Sequence, residues 1–437
     1  MSAGKRTAQK GAPSIEYSLL LTATLCLLAF GAVMVFSASS TTQLLGQSGD
    51  SAYYLKRTVV FAVVGLLIMR VLSVHGVKLL RGVTPVLLAL AFVLCFAVLL
   101  PGVGIEANGA TRWIGVGSLQ IQPSELMKVT LVLYGAHLLA TRPTIVRSLG
   151  ELMPYLGIVG LACALVVVEP DLGTAMVACF ATAAMLIAAG VRVRDLAVLA
   201  GVLAVVILLA VLIEPYRMER LTGFVNPGSD PGGAGFQAIQ AKIALGSGGI
   251  FGVGLGESLQ KAFSLPEAHT DMIAAVIGEE LGFLGIGALA GLYGLFGYAG
   301  MRIAQGARDR YGKLLAAGLT CLVMVQAVIN LCAVLGLAPL TGVPLPFVSY
   351  GNSNMLVMLA AVGLLLNVAR GGSVGSAARP SSRDGTLRVV DGGRSGARRA
   401  RTAPARSARS GAKRGHSGGR DSRARSAGAG RRGRPPR

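Results

Sequence analysis

Long apolar runs recur along the chain, separated by short polar or glycine-rich stretches. Ten of them lie at 17–37, 57–73, 83–101, 124–141, 153–168, 173–190, 196–213, 278–301, 314–336 and 353–369. About 20 apolar residues in a helix cross the hydrocarbon of a bilayer. The pattern therefore predicts an all-α polytopic membrane protein with ten transmembrane helices. Residues 214–277 are too polar and too rich in glycine to cross alone, so they form a large loop between helices seven and eight. No internal repeat stands out, which weighs against the inverted-repeat transporter folds.

Charge sets the orientation. With the N-terminus in the cytoplasm, fourteen Lys and Arg precede the tail on the cytoplasmic side and seven lie outside. This obeys the positive-inside rule. Ten crossings return the C-terminus to the cytoplasm and put 214–277 on the outer face. The formal charge is +21, of which +16 belongs to 370–437 and +5 to the rest. Three parts follow: a cytoplasmic segment 1–16, a membrane domain 17–369 and a basic tail 370–437. The tail is dominated by Arg, Ser, Ala and Gly. It cannot bury enough apolar surface to offset the entropy of ordering, so it is expected to be disordered.

The first apolar run follows Lys5, Arg6 and Lys10 and is long for a cleaved signal, so it is expected to stay as a helix. All six cysteines fall in apolar runs without C-x-x-C spacing and read as small core residues.

The unusual polar residues gather on the outer side. Arg112 and Trp113 lie in the stretch from Leu100 to Lys128, read as an interfacial anchor or a polar re-entrant lip. Pro123 and Ser124 suit a helix start. Glu125 and Lys128 stand at i, i+3 and are expected to pair. Glu169 and Asp171 bracket Pro170 in a tight turn, where Asp171 either caps the next helix or helps hold a cation or diphosphate.

In the large loop, the stretch from Tyr216 to Gly235 reads as turns and carries Arg217 and Arg220. Phe236 to Leu245 reads as a short amphipathic helix with Gln237 and Lys242. The glycine run from Gly246 to Gly256 offers backbone amides to a phosphate. Lys261, Glu267 and His269 follow, with Thr270 expected as the cap of helix eight.

Asp271 stands at the loop–helix junction. On a helix, Asp271 and Glu279 are separated by about 80°, while Asp271 and Glu280 face opposite ways. At most one of these glutamates is expected to share a site with Asp271. Pro344 and Pro346 forbid helix before the last span, where Ser349 and Tyr350 offer hydroxyls.

Five segments carry a resemblance: EPDLGTA (169–175), GFQAIQAKIALGSGGIFGVGLG (235–256), LPEAHTD (265–271), IGEELGFLG (277–285) and TGVPLPFVSYG (341–351). Together with NGATRWI (108–114) and QPSELMK (122–128), they closely resemble the SEDS family of cell-wall synthases, which includes FtsW, RodA and SpoVE. The resemblance covers about 17–369. VMVFSASS (33–40) and the basic tail look more like FtsW.

The resemblance implies a peptidoglycan glycosyltransferase that polymerises lipid II on the outer face of the cytoplasmic membrane, in septal synthesis during division. It places Asp271 on the essential loop aspartate, with Arg112, Trp113, Arg220, Gln237, Lys242, Lys261, Glu267, His269, Ser349 and Tyr350 around the substrate. Glu125, Lys128, Glu169, Asp171, Glu279, Glu280 and Asn330 are expected to support the site. The implied partners are lipid II, undecaprenyl-linked glycan, membrane lipids, a class B penicillin-binding protein and other division proteins, but no nucleic acid.

No cofactor is implied with certainty; a divalent cation, Mg or Mn, would suit a diphosphate leaving group. The family usually continues SYG-G-S-S, where this chain has Asn352, Ser353 and Asn354. A lipid II flippase or a division scaffold without catalysis remain alternatives.

Overall fold

A computed structural model describes residues 14–45, 51–107, 110–117, 119–233, 235–263 and 268–371. The tail beyond 371, the first thirteen residues and Glu267 lie outside the described residues.

The chain is largely helical. In order it forms α1 (Ile15–Leu45), α2 (Tyr53–Val98), β1 (Ile105–Ala107), β2 (Ala110–Val116), β3 (Leu119–Ile121), α3 (Pro123–Thr141), α4 (Leu149–Val168), α5 (Leu172–Ala189), α6 (Val193–Ile213), α7 (Pro215–Val225), α8 (Phe236–Gly248), α9 (Gln260–Phe263), α10 (Ile273–Gly306), α11 (Arg310–Val334) and α12 (Asn352–Ala369). Eight of the described helices are long and apolar enough to cross a bilayer: α1, α2, α4, α5, α6, α10, α11 and α12. The protein is thus a polytopic membrane protein. The helix α3 is also long, at 19 residues, but it carries Glu125 and Lys128.

Two predicted segments, 57–73 and 83–101, run together in α2, which is 46 residues long with Pro85 inside. Near its start, Tyr54 packs on Tyr350. Near its end, Cys95 lies against Glu169. In its middle, the Ser73 carbonyl accepts a bond from Asn367 at 3.0 Å, and the Arg81 guanidinium stacks on Tyr311 at 4.9 Å.

The core is made by α10, α11 and α12, with α1, α2, α3 and α5 packed around them. Small residues allow close approach between membrane helices. A β-carbon on Gly363 of α12 would stand 2.7 Å from the Met69 carbonyl of α2, so glycine sets this spacing. In contrast, Asp195 near its start is the one residue that α6 buries.

Three expectations need correction. The stretch after Leu100 is a three-stranded antiparallel sheet in the order β1-β2-β3, not an irregular lip, so the chain is not all-α. Its outer strands have three residues each, too few for alternation to show in sequence. The stretch after Tyr216 is helical as far as Val225, in α7, and turn-rich only beyond it. Helix eight starts earlier than expected, at Ile273, and its N-cap is Met272 without a side-chain bond; Thr270 does not cap it.

The helix α10 is interrupted at Gly282, where φ is +67° and ψ −161°. The break has a visible partner. The amides of Val253 and Gly254 donate to the carbonyls of Glu279 and Glu280, and the amides of Phe283 and Leu284 donate to Gly249 and Ile250. A β-carbon on Gly282 would stand 2.5 Å from the Ile250 carbonyl. Only glycine tolerates both this conformation and this approach. Two amides of the glycine run, those of Val253 and Gly254, are therefore spent on α10 rather than held for a phosphate.

Candidate active site

Asp271 sits on the turn that leads into α10. Its carbonyl accepts a bond from Asn330 Nδ2 at 2.8 Å, and the same amide donates to the Val343 carbonyl at 2.8 Å. One side chain of α11 thus ties the Asp271 turn to the loop before α12. The Asp271 carboxylate takes a bond from Thr270 Oγ1 at 3.3 Å.

Gly342 lies close to both a cation and this carboxylate. A β-carbon there would stand 3.8 Å from Arg220 Nη1 and 3.9 Å from Asp271 Oδ2. Arg220 also donates to the Leu340 carbonyl at 3.0 Å. Guanidinium and carboxylate therefore flank one glycine.

Beside them opens a cavity of about 1000 Å³ between α5, α6, α7 and α11. Arg112, Arg217 and Arg220 line one part; apolar residues such as Phe180, Ile187 and Leu208 line the rest. Arg217 is held by the carbonyls of Ala210 and Val167 at 2.9 and 2.8 Å. Arg112, on β2, donates to the carbonyls of Glu169 and Pro170. Trp113 is the next residue on that strand and is half-buried. Gln237 and Lys242 of α8 border a smaller recess shared with Arg220.

Asp171 caps α5 by accepting from the Thr174 amide at 3.0 Å, and takes Gln122 Nε2 at 2.8 Å. Glu169 is fully buried, with the Cys95 thiol against its carboxyl. Burial, more than any charge nearby, pushes its pKa from 4.5 up to about 8. Asp171 adds to the rise, while the Cys95 thiol and Arg112 oppose it.

These donors do not fit a divalent cation. Hard cations take several converging oxygens, whereas the Asp171 oxygens are spent on protein donors. Among the described residues, no group of three or more His, Cys, Asp or Glu converges on a metal-sized site.

Lys261, expected at the substrate, is buried in an ion pair. Its Nζ meets Glu280 Oε1 at 2.6 Å and Ser37 Oγ at 3.2 Å. Glu279 accepts from Ser258 Oγ at 2.5 Å and from the Leu259 amide at 3.1 Å. Both glutamates hold the glycine-rich loop against α10 and α1. Ser349 is likewise committed: its Oγ accepts from the Leu345 amide at 2.8 Å.

Glu125 and Lys128 pair at 2.9 Å with both side chains 1% exposed. Lys128 also donates to Gln326 at 3.0 Å. Gln326 continues to the Pro344 carbonyl at 2.9 Å and to Asn354 Oδ1 at 3.0 Å. Asn354, where the chain departs from the usual pattern, thus belongs to a buried network beneath the loop. Asn352 donates to the Tyr350 hydroxyl at 3.4 Å.

His269 and Tyr350 come together as expected of neighbours in a site. The Tyr350 amide donates to the His269 carbonyl at 2.9 Å. Tyr54 joins them and was missed in the sequence, as were Gln326 and Ser258. Their only signal was polarity inside or beside apolar runs.

Known proteins are similar to this chain in sequence and fold. Residues 17–373 match the FtsW/RodA/SpoVE family, described as cell cycle proteins. The chain is 41% identical over 358 residues to the probable peptidoglycan glycosyltransferase FtsW of Trichlorobacter lovleyi, covering 82% of this chain and 94% of the relative. It is 40% identical over 365 residues to stage V sporulation protein E of Bacillus subtilis, covering 83% and 99%. The fold is similar to a chain from a peptidoglycan synthase complex that coordinates polymerization and crosslinking, with a TM-score of 0.67, 31% identity, and coverage of 82% of this chain and 98% of the other. It is also similar to the rod shape determining protein RodA of Thermus thermophilus, at a TM-score of 0.59, 30% identity, and coverage of 80% and 95%. By matched length, identity and fold, the chain belongs to the FtsW/RodA/SpoVE family of membrane proteins, the SEDS family.

Proposed function

We propose that this chain is a peptidoglycan glycosyltransferase that polymerises lipid II. One observation carries the reading: the Asp271 carboxylate and the Arg220 guanidinium flank Gly342 at the edge of an apolar cavity of about 1000 Å³. A lipid-linked donor needs an apolar space for its chain, cationic groups for its diphosphate and a base for the incoming hydroxyl. All three meet here.

In the reaction, the acceptor sugar 4-hydroxyl attacks the anomeric carbon of the donor. The new C–O bond forms as the bond to the diphosphate breaks. The hydroxyl proton passes to the Asp271 carboxylate, which acts as general base. The electron pair leaves on undecaprenyl diphosphate, and fixed cations stabilise the charge that develops. Arg220 and Arg112 are the cations for this role, with Lys242 near Arg220. Lys261 takes no part, because Glu280 already neutralises it.

This function requires the site to face outward. Ten crossings achieve that, with both termini in the cytoplasm. A straight helix of 46 residues would be about 69 Å long. Yet both ends of α2 meet loops of the site, and its middle meets the far ends of α11 and α12. We read it as two crossings folded back on each other. With α3 added, the eight spans become ten.

A relative in a complex that coordinates polymerization and crosslinking supports a partner that crosslinks; we take it to be a class B penicillin-binding transpeptidase that acts with this chain at the division septum. The test is polymerisation of fluorescent lipid II by the purified chain, with and without such a partner. Failure to make glycan in both would overturn the reading.

A flippase would use a polar path across the membrane. The polar network that starts at Glu125 is instead buried and fastened to itself.

A further inference from the structure

A transferase of this kind must hold two saccharides, and the cavity accounts for only one. The second feature beside Asp271 is a cluster of rings. His269, two residues before Asp271, lies 4.3 Å from the Tyr54 ring and 5.5 Å from the Tyr350 ring, between centroids. Tyr54 and Tyr350 meet edge to face at 4.8 Å, and Tyr53 meets Tyr54 in the same way at 5.3 Å. None of the four lines the apolar cavity. They are carried by the start of α2 and by the residues before α10 and α12, whereas the cavity is walled by α5, α6, α7 and α11. Arg220 and the cavity are thus built from one set of elements near Asp271, and the rings from another.

The rings have polar edges. Arg57 donates to the Tyr53 hydroxyl at 3.3 Å, and Asn352 donates to the Tyr350 hydroxyl at 3.4 Å. Tyr53 is 41% exposed and the other three rings are half-buried, so part of the cluster faces the outside. Aromatic faces are electron-rich. A pyranose presents a face of C–H bonds that settles on such a ring, while its hydroxyls bond to polar groups at the rim. A site with aromatic walls and a few placed polar groups suits such a ligand. Rings that merely anchor a protein in the interface need no such packing against the turn that carries the base.

We propose that Tyr53, Tyr54, His269 and Tyr350 form the subsite for the acceptor saccharide, and so present its 4-hydroxyl to Asp271. This rests on the glycosyltransferase reading. Asn352 then acquires a role as well, because it fixes the Tyr350 hydroxyl at the rim of that subsite.

The test uses the purified full chain with fluorescent lipid II as donor and a synthetic lipid-linked tetrasaccharide as acceptor. Tyr54→Leu should raise KM for the tetrasaccharide about tenfold, with kcat at saturating acceptor unchanged, because the lost contact is made equally in the ground and transition states. Tyr54→Phe keeps the ring and should raise this KM much less than Tyr54→Leu does. Tyr53→Leu alters an exposed ring, is safe for folding, and should raise the same KM about threefold; it decides the matter if Tyr54→Leu does not fold. An unchanged acceptor KM in Tyr53→Leu and in folded Tyr54→Leu would overturn the subsite. So would equal losses for donor and acceptor, the mark of an interfacial anchor. If the wild-type chain makes glycan and these variants behave so, only the subsite fails. If the wild type makes none, the glycosyltransferase reading fails and takes the subsite with it.

Discussion

Lys261 Nζ lies 2.6 Å from Glu280 Oε1, and the two side chains are 1% and 0% exposed. This pair fastens the end of the glycine-rich loop to the broken stretch of α10, and Ser37 bonds to both partners from α1.

Breaking this pair on one side should be costly. A lone buried charge costs roughly 3–5 kcal/mol, while two apolar partners of similar volume cost far less. Lys261→Met should therefore lower the melting temperature in detergent and reduce folded yield. The double variant Lys261→Met with Glu280→Leu should recover most of the loss. Equal melting temperatures for wild type and Lys261→Met would contradict the pairing.

The Glu125–Lys128 pair makes a parallel case, with a consequence for the site. Lys128→Met leaves Glu125 buried and frees Gln326 from one of its bonds. Stability should fall by roughly 3–5 kcal/mol, and activity should fall with it, since Gln326 also holds the Pro344 carbonyl. A variant with normal melting and no activity would move Lys128 into the chemistry.

Glu169 gives a pH dependence with a definite sign. Its pKa is raised by burial from 4.5 to about 8. Between these values the folded chain holds a proton that the unfolded chain releases, so this residue's stabilising share is full below about 4.5 and is lost as pH rises through about 8. Glu169→Gln does not titrate. Its melting temperature should therefore gain on wild type as pH rises from 5 toward 8, and then hold level. A difference that is constant across this range would contradict the buried, protonated carboxyl.

The basic tail lies outside the described residues, and its role is read from charge alone. Deleting 372–437 should leave lipid II polymerisation intact, because the proposed chemistry is on the other side of the membrane. Loss of polymerisation by the purified, truncated chain would contradict that sidedness.

Much of this was legible in sequence. The Glu125–Lys128 pair followed from i, i+3 spacing, and the Asp171 cap from its place before a helix. Asp271 stood out as a carboxylate at a loop–helix junction. Lys261 misled because its partner Glu280 is nineteen residues away, and only the break at Gly282 brings the loop back along α10. The glycine run misled for the same reason: a sequence does not show which carbonyls its amides will meet. The ring cluster was scattered over three segments, so Tyr54 carried no mark of its neighbours.

The most direct test of Asp271 as the base is lipid II polymerisation by purified wild type and Asp271→Asn, compared side by side with their melting curves. The asparagine keeps the shape and removes the base. The predicted result is glycan from the wild type and none from Asp271→Asn, with the variant folded and inserted as the wild type is. Glycan from Asp271→Asn at near the wild-type rate would contradict it.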